Sequence, residues 1–170
     1  MVNVQFNQIL DYPIATFYDD EGLIASSFYT LINSLDLSDE AARFNNLVNG
    51  ATEVTSNEIT AAIDSYNSGD SSPLDALAKA PRSLGSNFYG QAQRALDEVG
   101  FGSTITYREL AGLAGQPKAI RAAASACATN QLPLFRPCHR VIRSDGTLGS
   151  YLYGLEVKMA LIAHEAKLRQ

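Results

Sequence analysis

Pro137-Cys138-His139-Arg140-Val141-Ile142 is the stretch of this chain whose residue types could do chemistry. A cysteine attacks as its thiolate, so it needs a neighbour that lowers its pKa or takes its proton. His139 and Arg140 follow Cys138 directly, and His164 and Glu165 lie further along. A rigid proline precedes the thiol, and the segment runs on into a short apolar strand. Two roles fit the thiol taken alone: an activated nucleophile, or the small buried apolar side chain that most free cysteines are.

Composition bounds the setting. At 170 residues and 46% hydrophobic, the chain can bury one sizeable core or two small ones. No run of about 18 apolar residues could span a bilayer, and no basic-then-apolar leader opens the sequence, so a soluble, cytoplasmic protein is expected. Cys127 and Cys138 are the only cysteines, and no disulfide framework is indicated. Charge is divided unevenly. Residues 1–80 hold Arg43 and Lys79 against twelve acids, a net of −10, whereas residues 81–170 hold eleven Lys and Arg against six acids, a net of +5. The first part should be repelled by a phosphate backbone and the second attracted to it.

The elements that must position the thiol follow from local patterns. Val2–Phe6, Ala15–Tyr18 and Leu23–Tyr29 are β-prone, with a turn signal at Asp19-Asp20-Glu21-Gly22, and they predict a small antiparallel sheet. Helical patterning covers Ser38–Leu47 and Ser56–Tyr66, with Ser38 and Ser56 as caps. Asn67–Pro73 is the most loop-like stretch, and a boundary is expected at Pro81, giving domains 1–81 and 82–170. A helix is expected over Ser86–Val99. Thr106 with Glu109 makes a capping box that starts the next helix at Tyr107. Gly115-Gln116-Pro117 stops that helix and starts another over Lys118–Ala128, rich in alanine. Its small side chains suit either close approach to DNA or tight packing between helices.

Features around the hexapeptide, in order and at spacing, resemble the O6-alkylguanine-DNA alkyltransferase family across nearly the whole chain. Asn130 stands eight positions before Cys138, Pro133 five before it, and Arg121 nine before Asn130. Thr106 to Ala111 with Gly115 is similar to the family's helix-turn-helix. Gly146-Thr147-Leu148, Tyr151, Gly154-Leu155, Lys158 and Leu161–Glu165 are similar to its closing loop and last helix. Asp11–Ile14 and Gly22-Leu23 resemble its N-terminal strand pattern.

The resemblance implies an α+β protein with an RNase H-like N-terminal domain and a winged helix-turn-helix-like C-terminal domain. It implies irreversible transfer of an alkyl group from O6-alkylguanine in double-stranded DNA to Cys138, one turnover per molecule, by a monomer bound in the minor groove. No cofactor is implied, and no metal, because the first domain has neither the Cys nor the His of the zinc site some members carry there. Cys138 would attack, His139 would take its proton through a water, and Glu165 would orient His139. Asn130 would brace the cysteine segment, and Tyr107 would donate to the guanine ring beside the extruded nucleotide. Arg121 would fill the vacated stack, with Lys118, Ala122, Ser125 and Tyr107 also on DNA. Cys127, Pro133, Val141, Tyr151, Leu152 and Tyr153 would form the alkyl and guanine pocket, and the protein on DNA would be nucleoid-associated.

Departures from the family pattern carry expectations of their own. Ser150-Tyr151-Leu152-Tyr153-Gly154 stands where the family reads Gly-Tyr-x-Gly-Gly, so Tyr153 should narrow the pocket. Arg136 replaces an apolar residue and calls for an acidic or phosphate partner, Ala128 replaces a frequent base, and Gln93 replaces a tryptophan. Two other functions compete: a sensor that binds the lesion without transfer, and a cysteine hydrolase. The sensors replace the nucleophilic cysteine, which is present here. A hydrolase dyad of Cys138 and His139 conflicts with their expected place on a strand, where neighbours point to opposite faces.

Overall fold

The computed structural model describes residues 1–28, 50–78 and 84–169. The expected helix at Ser38–Leu47, the strand end at Tyr29, and Arg43, Lys79 and Pro81 lie outside the described residues. The chain divides into two compact units, Met1–Arg82 and Ser83–Gln170.

In the first unit β1 (Asn3–Ile9), β2 (Tyr12–Asp19) and β3 (Gly22–Phe28) pair as consecutive antiparallel hairpins. The Asp19–Gly22 signal forms the second turn: the Asp19 carboxylate accepts from the Glu21 N–H at 2.9 Å, and Gly22 takes φ 116°, which suits glycine. The sheet is mixed rather than antiparallel, because β4 (Thr52–Glu53) adds to β1 in parallel and gives the order β3-β2-β1-β4. Two exposed residues at an edge carry no periodic pattern, and that strand has no signature in the sequence. Ile14, Ala15, Thr16 and Phe17 are buried in succession, so β2 is covered on both faces.

Helix α1 (Asn57–Asn67) starts at Ser56, whose hydroxyl accepts from the Ile59 N–H. Gln5, buried in β1, accepts from the Ser56 N–H at 2.7 Å and fixes that helix start against the sheet. Asn67 closes the other end by bonding the Gln8 carbonyl and the Leu10 N–H. The expected loop at residues 67–73 ends early, since Ser72 and Pro73 open α2 (Ser72–Ala78), a first-turn position that spares proline its missing N–H.

The second unit starts with α3 (Phe88–Leu96), shorter at both ends than Ser86–Val99. Asn87 caps it by accepting from the Gly90 N–H, and residues 97–99 leave the helix in tight turns. Gly90 is required there, because a Cβ would collide with the Gly85 carbonyl oxygen. The capping box at Thr106 and Glu109 is present and starts α4 (Tyr107–Leu113). Gly115 takes φ 80° to end it. The following helix, α5 (Ile120–Ala128), begins two residues later than Lys118, which lies in the preceding turn with Pro117. Ala123 and Ala126 are buried with Ala92, Ala95, Leu96, Leu110, Ala111 and Ala114 of this unit. Small side chains on that face therefore serve close helix packing, while Arg121 and Ser125 on the other face are exposed.

Strands β5 (Ile105–Thr106) and β6 (Val141–Ile142) pair in parallel and bring the cysteine segment beside the start of α4. Helix α6 (Leu155–Leu168) completes the unit, with Val157, Lys158, Leu161 and Glu165 buried.

Candidate active site

Cys138 opens a one-turn 3-10 helix, Cys138–Arg140, and not a strand. The Cys138 N–H bonds the Arg136 carbonyl at 2.8 Å and the Arg140 N–H bonds the Pro137 carbonyl at 3.0 Å, so the chain is coiled where the thiol projects. Asn130, itself buried, holds this geometry. Its amide nitrogen donates to the Arg136 carbonyl at 2.8 Å and to the Cys138 sulfur at 3.1 Å, and its oxygen accepts from the Leu132 N–H at 3.2 Å. Arg136 pairs with Asp97 at 3.2 Å, the acidic partner its position called for.

His139 is fully buried, and Nε2 lies 2.8 Å from Glu165 Oε1. Arg140 forks the same carboxylate, Nε to Oε2 at 2.8 Å and Nη2 to Oε1 at 3.0 Å, and the Gly102 N–H adds a bond to Oε2 at 3.0 Å. Burial pushes the Glu165 carboxyl up, but hydrogen bonds and charge from His139 and Arg140 outweigh it and hold the group well below the usual carboxylate range. An ionised Glu165 accepts only, so Nε2 carries the ring proton and Nδ1 is the basic nitrogen. Nδ1 is buried and makes no hydrogen bond to any described residue. Burial, the largest influence, lowers the His139 pKa, and the Glu165 interaction opposes it.

The Cys138 thiol does not have the activating cation expected from its sequence neighbours. Arg140 is committed to Glu165, and burial pushes the thiol pKa up against smaller opposing effects from the Asn130 hydrogen bond and the Lys158 charge. A neutral thiol at rest needs its proton removed during reaction. Lys158, which the sequence marked without assigning a role, is completely buried, and its ammonium donates to the carbonyls of Val141 at 2.6 Å and Leu148 at 2.5 Å. It also lies 6.0 Å from the ring centres of Tyr107 and Tyr151. Its position could have been found from spacing, because 158, 161 and 165 form one helical stripe in which a lysine and a glutamate sit among apolar residues.

A cavity of about 250 Å³ opens on Cys138 and is lined by Tyr107, Ala124, Cys127, Ala128, Asn130, Ser150, Tyr151, Leu152 and Tyr153. Pro133 and Val141 do not line it: both are buried, Val141 in the core cluster behind Cys138. Tyr153 is 7% exposed and meets Tyr151 edge to face at 5.5 Å, so it fills part of the space that a glycine would leave. Gly149 at φ 71° would carry a Cβ 3.2 Å from the Tyr107 hydroxyl, a close approach that fixes that ring beside the loop. Burial raises the Tyr107 pKa to about 12, so the phenol stays protonated. Gln93, where a tryptophan was the pattern, donates to the Ala126 carbonyl at 3.0 Å and ties α3 to the end of α5. Lys118, Arg121, Ala122 and Ser125 lie apart from the cavity lining, around the start and exposed side of α5. Among the described residues no His, Cys, Asp or Glu cluster could hold a metal ion, and no helix is long and apolar enough to cross a membrane.

Residues 87–167 match the family model of the 6-O-methylguanine DNA methyltransferase DNA binding domain. The chain is 40% identical over 110 residues to the bifunctional transcriptional activator/DNA repair enzyme Ada of Escherichia coli, 65% of this chain and 29% of that protein. It is 51% identical over 73 residues to the mouse methylated-DNA–protein-cysteine methyltransferase, 42% of this chain and 35% of the mouse protein. The matched stretches thus span about a third of these relatives' own lengths. The Mycobacterium tuberculosis OGT solved in complex with DNA shares the fold with a TM-score of 0.68 at 22% identity, over 98% of this chain and 94% of that one. With Cys138, His139, Asn130 and Glu165 gathered as the motif spacing required, residues 87–167 are similar to the DNA binding domain of the 6-O-methylguanine DNA methyltransferases.

Proposed function

We propose that the chain repairs DNA by moving an alkyl group from O6 of guanine in double-stranded DNA to its own Cys138, once per molecule. One observation carries the reading: a cysteine opening on a cavity, its sulfur bonded by Asn130 and its neighbour His139 tied through Nε2 to an ionised Glu165. In the step, the thiol proton passes through a water to Nδ1 of His139 while sulfur attacks the alkyl carbon in line with the O6–carbon bond. The S–C bond forms, the O6–C bond breaks, and its electron pair stays on the purine, which takes up one proton and leaves as guanine. Tyr107, a phenol held protonated by burial, donates to a ring nitrogen as charge develops, and the Leu152 N–H supports O6. A thioether is a poor leaving group, so Cys138 stays alkylated.

DNA would meet the unit through α4, the turn at Gly115 and α5, which would form the helix-turn-helix of a winged helix-turn-helix-like domain, and the first unit would be RNase H-like. Lys118, Arg121, Ala122 and Ser125 would face the minor groove, where base identity is read weakly and any sequence context is accepted. Arg121 would enter the stack as the damaged nucleotide turns out, a movement that costs a few kcal/mol and less at a weakened pair. The protein would act as a monomer in the cytoplasm, on nucleoid DNA, with no cofactor. The test is nucleoside mass spectrometry of a duplex carrying one O6-methylguanine, titrated with protein. Conversion of the lesion to guanine should stop at one equivalent. Lesion-selective binding that leaves O6-methylguanine intact would overturn transfer and favour the sensor.

A further inference from the structure

We propose that Arg140 is a positioning residue for the proton transfer: by forking both oxygens of Glu165 it keeps that carboxylate charged and aligned on Nε2 of His139, leaving Nδ1 as the nitrogen that receives the proton. The inference rests on the alkyl-transfer reading for its kinetic part only.

The geometry is specific. Arg140 is 2% exposed, and three of its nitrogens are engaged, Nε and Nη2 on Glu165 and Nη1 on the Val99 carbonyl at 2.5 Å, with the guanidinium 5.8 Å from the centre of the Phe101 ring. Each oxygen of Glu165 accepts twice, Oε1 from His139 and Arg140, Oε2 from Arg140 and the Gly102 N–H. A carboxylate so occupied has one orientation, and a planar fork holds it better than a point charge could.

Charge follows from the same contacts. Glu165 alone beside His139 would favour the imidazolium, which cannot accept a thiol proton. Arg140 offsets that negative charge, so Glu165 and Arg140 together present a nearly neutral pair to the ring. The groups that face His139 are Glu165 and Lys158 from α6, and Arg140 from its own turn. Two of these three are cationic, and both disfavour protonation of the ring. Removing Arg140 leaves the Glu165 charge less opposed and raises the proton affinity of His139.

The chain's two histidines, His139 and His164, make the test direct. Imidazole NMR of the full chain, with His164→Gln to assign the signals, gives the His139 titration without any need for catalysis. His139 should stay neutral well below the ordinary imidazole value of about 6.5. In Arg140→Met its midpoint should rise by at least one pH unit, and the acid limb of the single-turnover methyl-transfer rate should rise with it. Arg140→Lys, which keeps the charge and loses the fork, should leave the midpoint low and slow the transfer at every pH. If Arg140→Met does not fold, Arg140→Met with Glu165→Gln removes both charges, and His139 should again stay neutral. A His139 midpoint that does not move in Arg140→Met, or a double variant whose His139 titrates higher than the natural protein's, overturns the inference. Absent transfer with the expected NMR shifts would refute the functional reading alone.

Discussion

Glu165→Gln keeps the shape of the side chain and removes the charge that three groups share. Arg140, 2% exposed, is then a buried cation with no counter-ion, and breaking a buried pair from one side costs about 3–5 kcal/mol. At ~0.05–0.15 kcal/mol per residue, the unit Ser83–Gln170 has roughly 4–13 kcal/mol in total, so the substitution removes about a quarter of its stability or more. With a urea m-value of ~2 kcal/mol/M, the midpoint falls by about 1.5–2.5 M. Equilibrium unfolding followed by circular dichroism, with hydrogen exchange of α6 peptides to assign the transition to this unit, measures it. Arg140→Met added to Glu165→Gln should restore most of the loss, because an apolar replacement of both partners is often close to neutral. A loss under about 1 kcal/mol for Glu165→Gln, or a double variant weaker than the single, would refute the claim that this carboxylate is the buried counter-ion of Arg140.

Other perturbations have definite signs. Asn130→Ala leaves the Leu132 N–H buried without its partner and takes one of two bonds from the Arg136 carbonyl, which keeps the Cys138 N–H, and should cost about 1–3 kcal/mol in urea unfolding. Thr106→Ala removes one side of the capping box and should cost ~1 kcal/mol by the same assay, with Thr106→Ser recovering it. Acid should destabilise the protein in two stages. His139 and Glu165 both have folded pKa values below their unfolded ones, so the unfolded chain binds protons first. Their stabilisation is complete above about pH 6.5 and is lost as pH falls, first through His139 and then, below about pH 4.3, through Glu165. A urea midpoint that stayed level or rose on acidification would contradict both.

How far the sequence could be read depended on how local each determinant is. The Thr106 box, the Ser56 cap, the left-handed Gly115 and the Asp19–Gly22 turn are set by residues within four positions of one another, and they appear in the fold as their chemistry requires. Strand β4 has two residues and gains its hydrogen bonds from β1, about fifty positions away, so no local pattern announces it. The late start of α5 has a similar origin: Pro117 suits a helix start, but the turn after Gly115 runs on through Lys118. At the site, motif spacing named Cys138, His139, Asn130 and Glu165, and they are gathered around one sulfur and one ring. Arg140 was read as a cation for the thiol because it is adjacent in sequence. The 3-10 turn sends it to Glu165, twenty-five positions on, and burial rather than charge governs the thiol. Lys158 and Gln93 likewise find backbone partners that only the fold brings near.

The central claim is that Cys138 is the acceptor, and intact-protein mass spectrometry after incubation with an O6-methylguanine duplex tests it most directly. One added methyl, mapped by peptide fragmentation to Cys138, saturating at one per chain and missing in Cys138→Ser, is the expected result. An unchanged mass with the lesion bound, or a methyl that maps to Cys127, would contradict it.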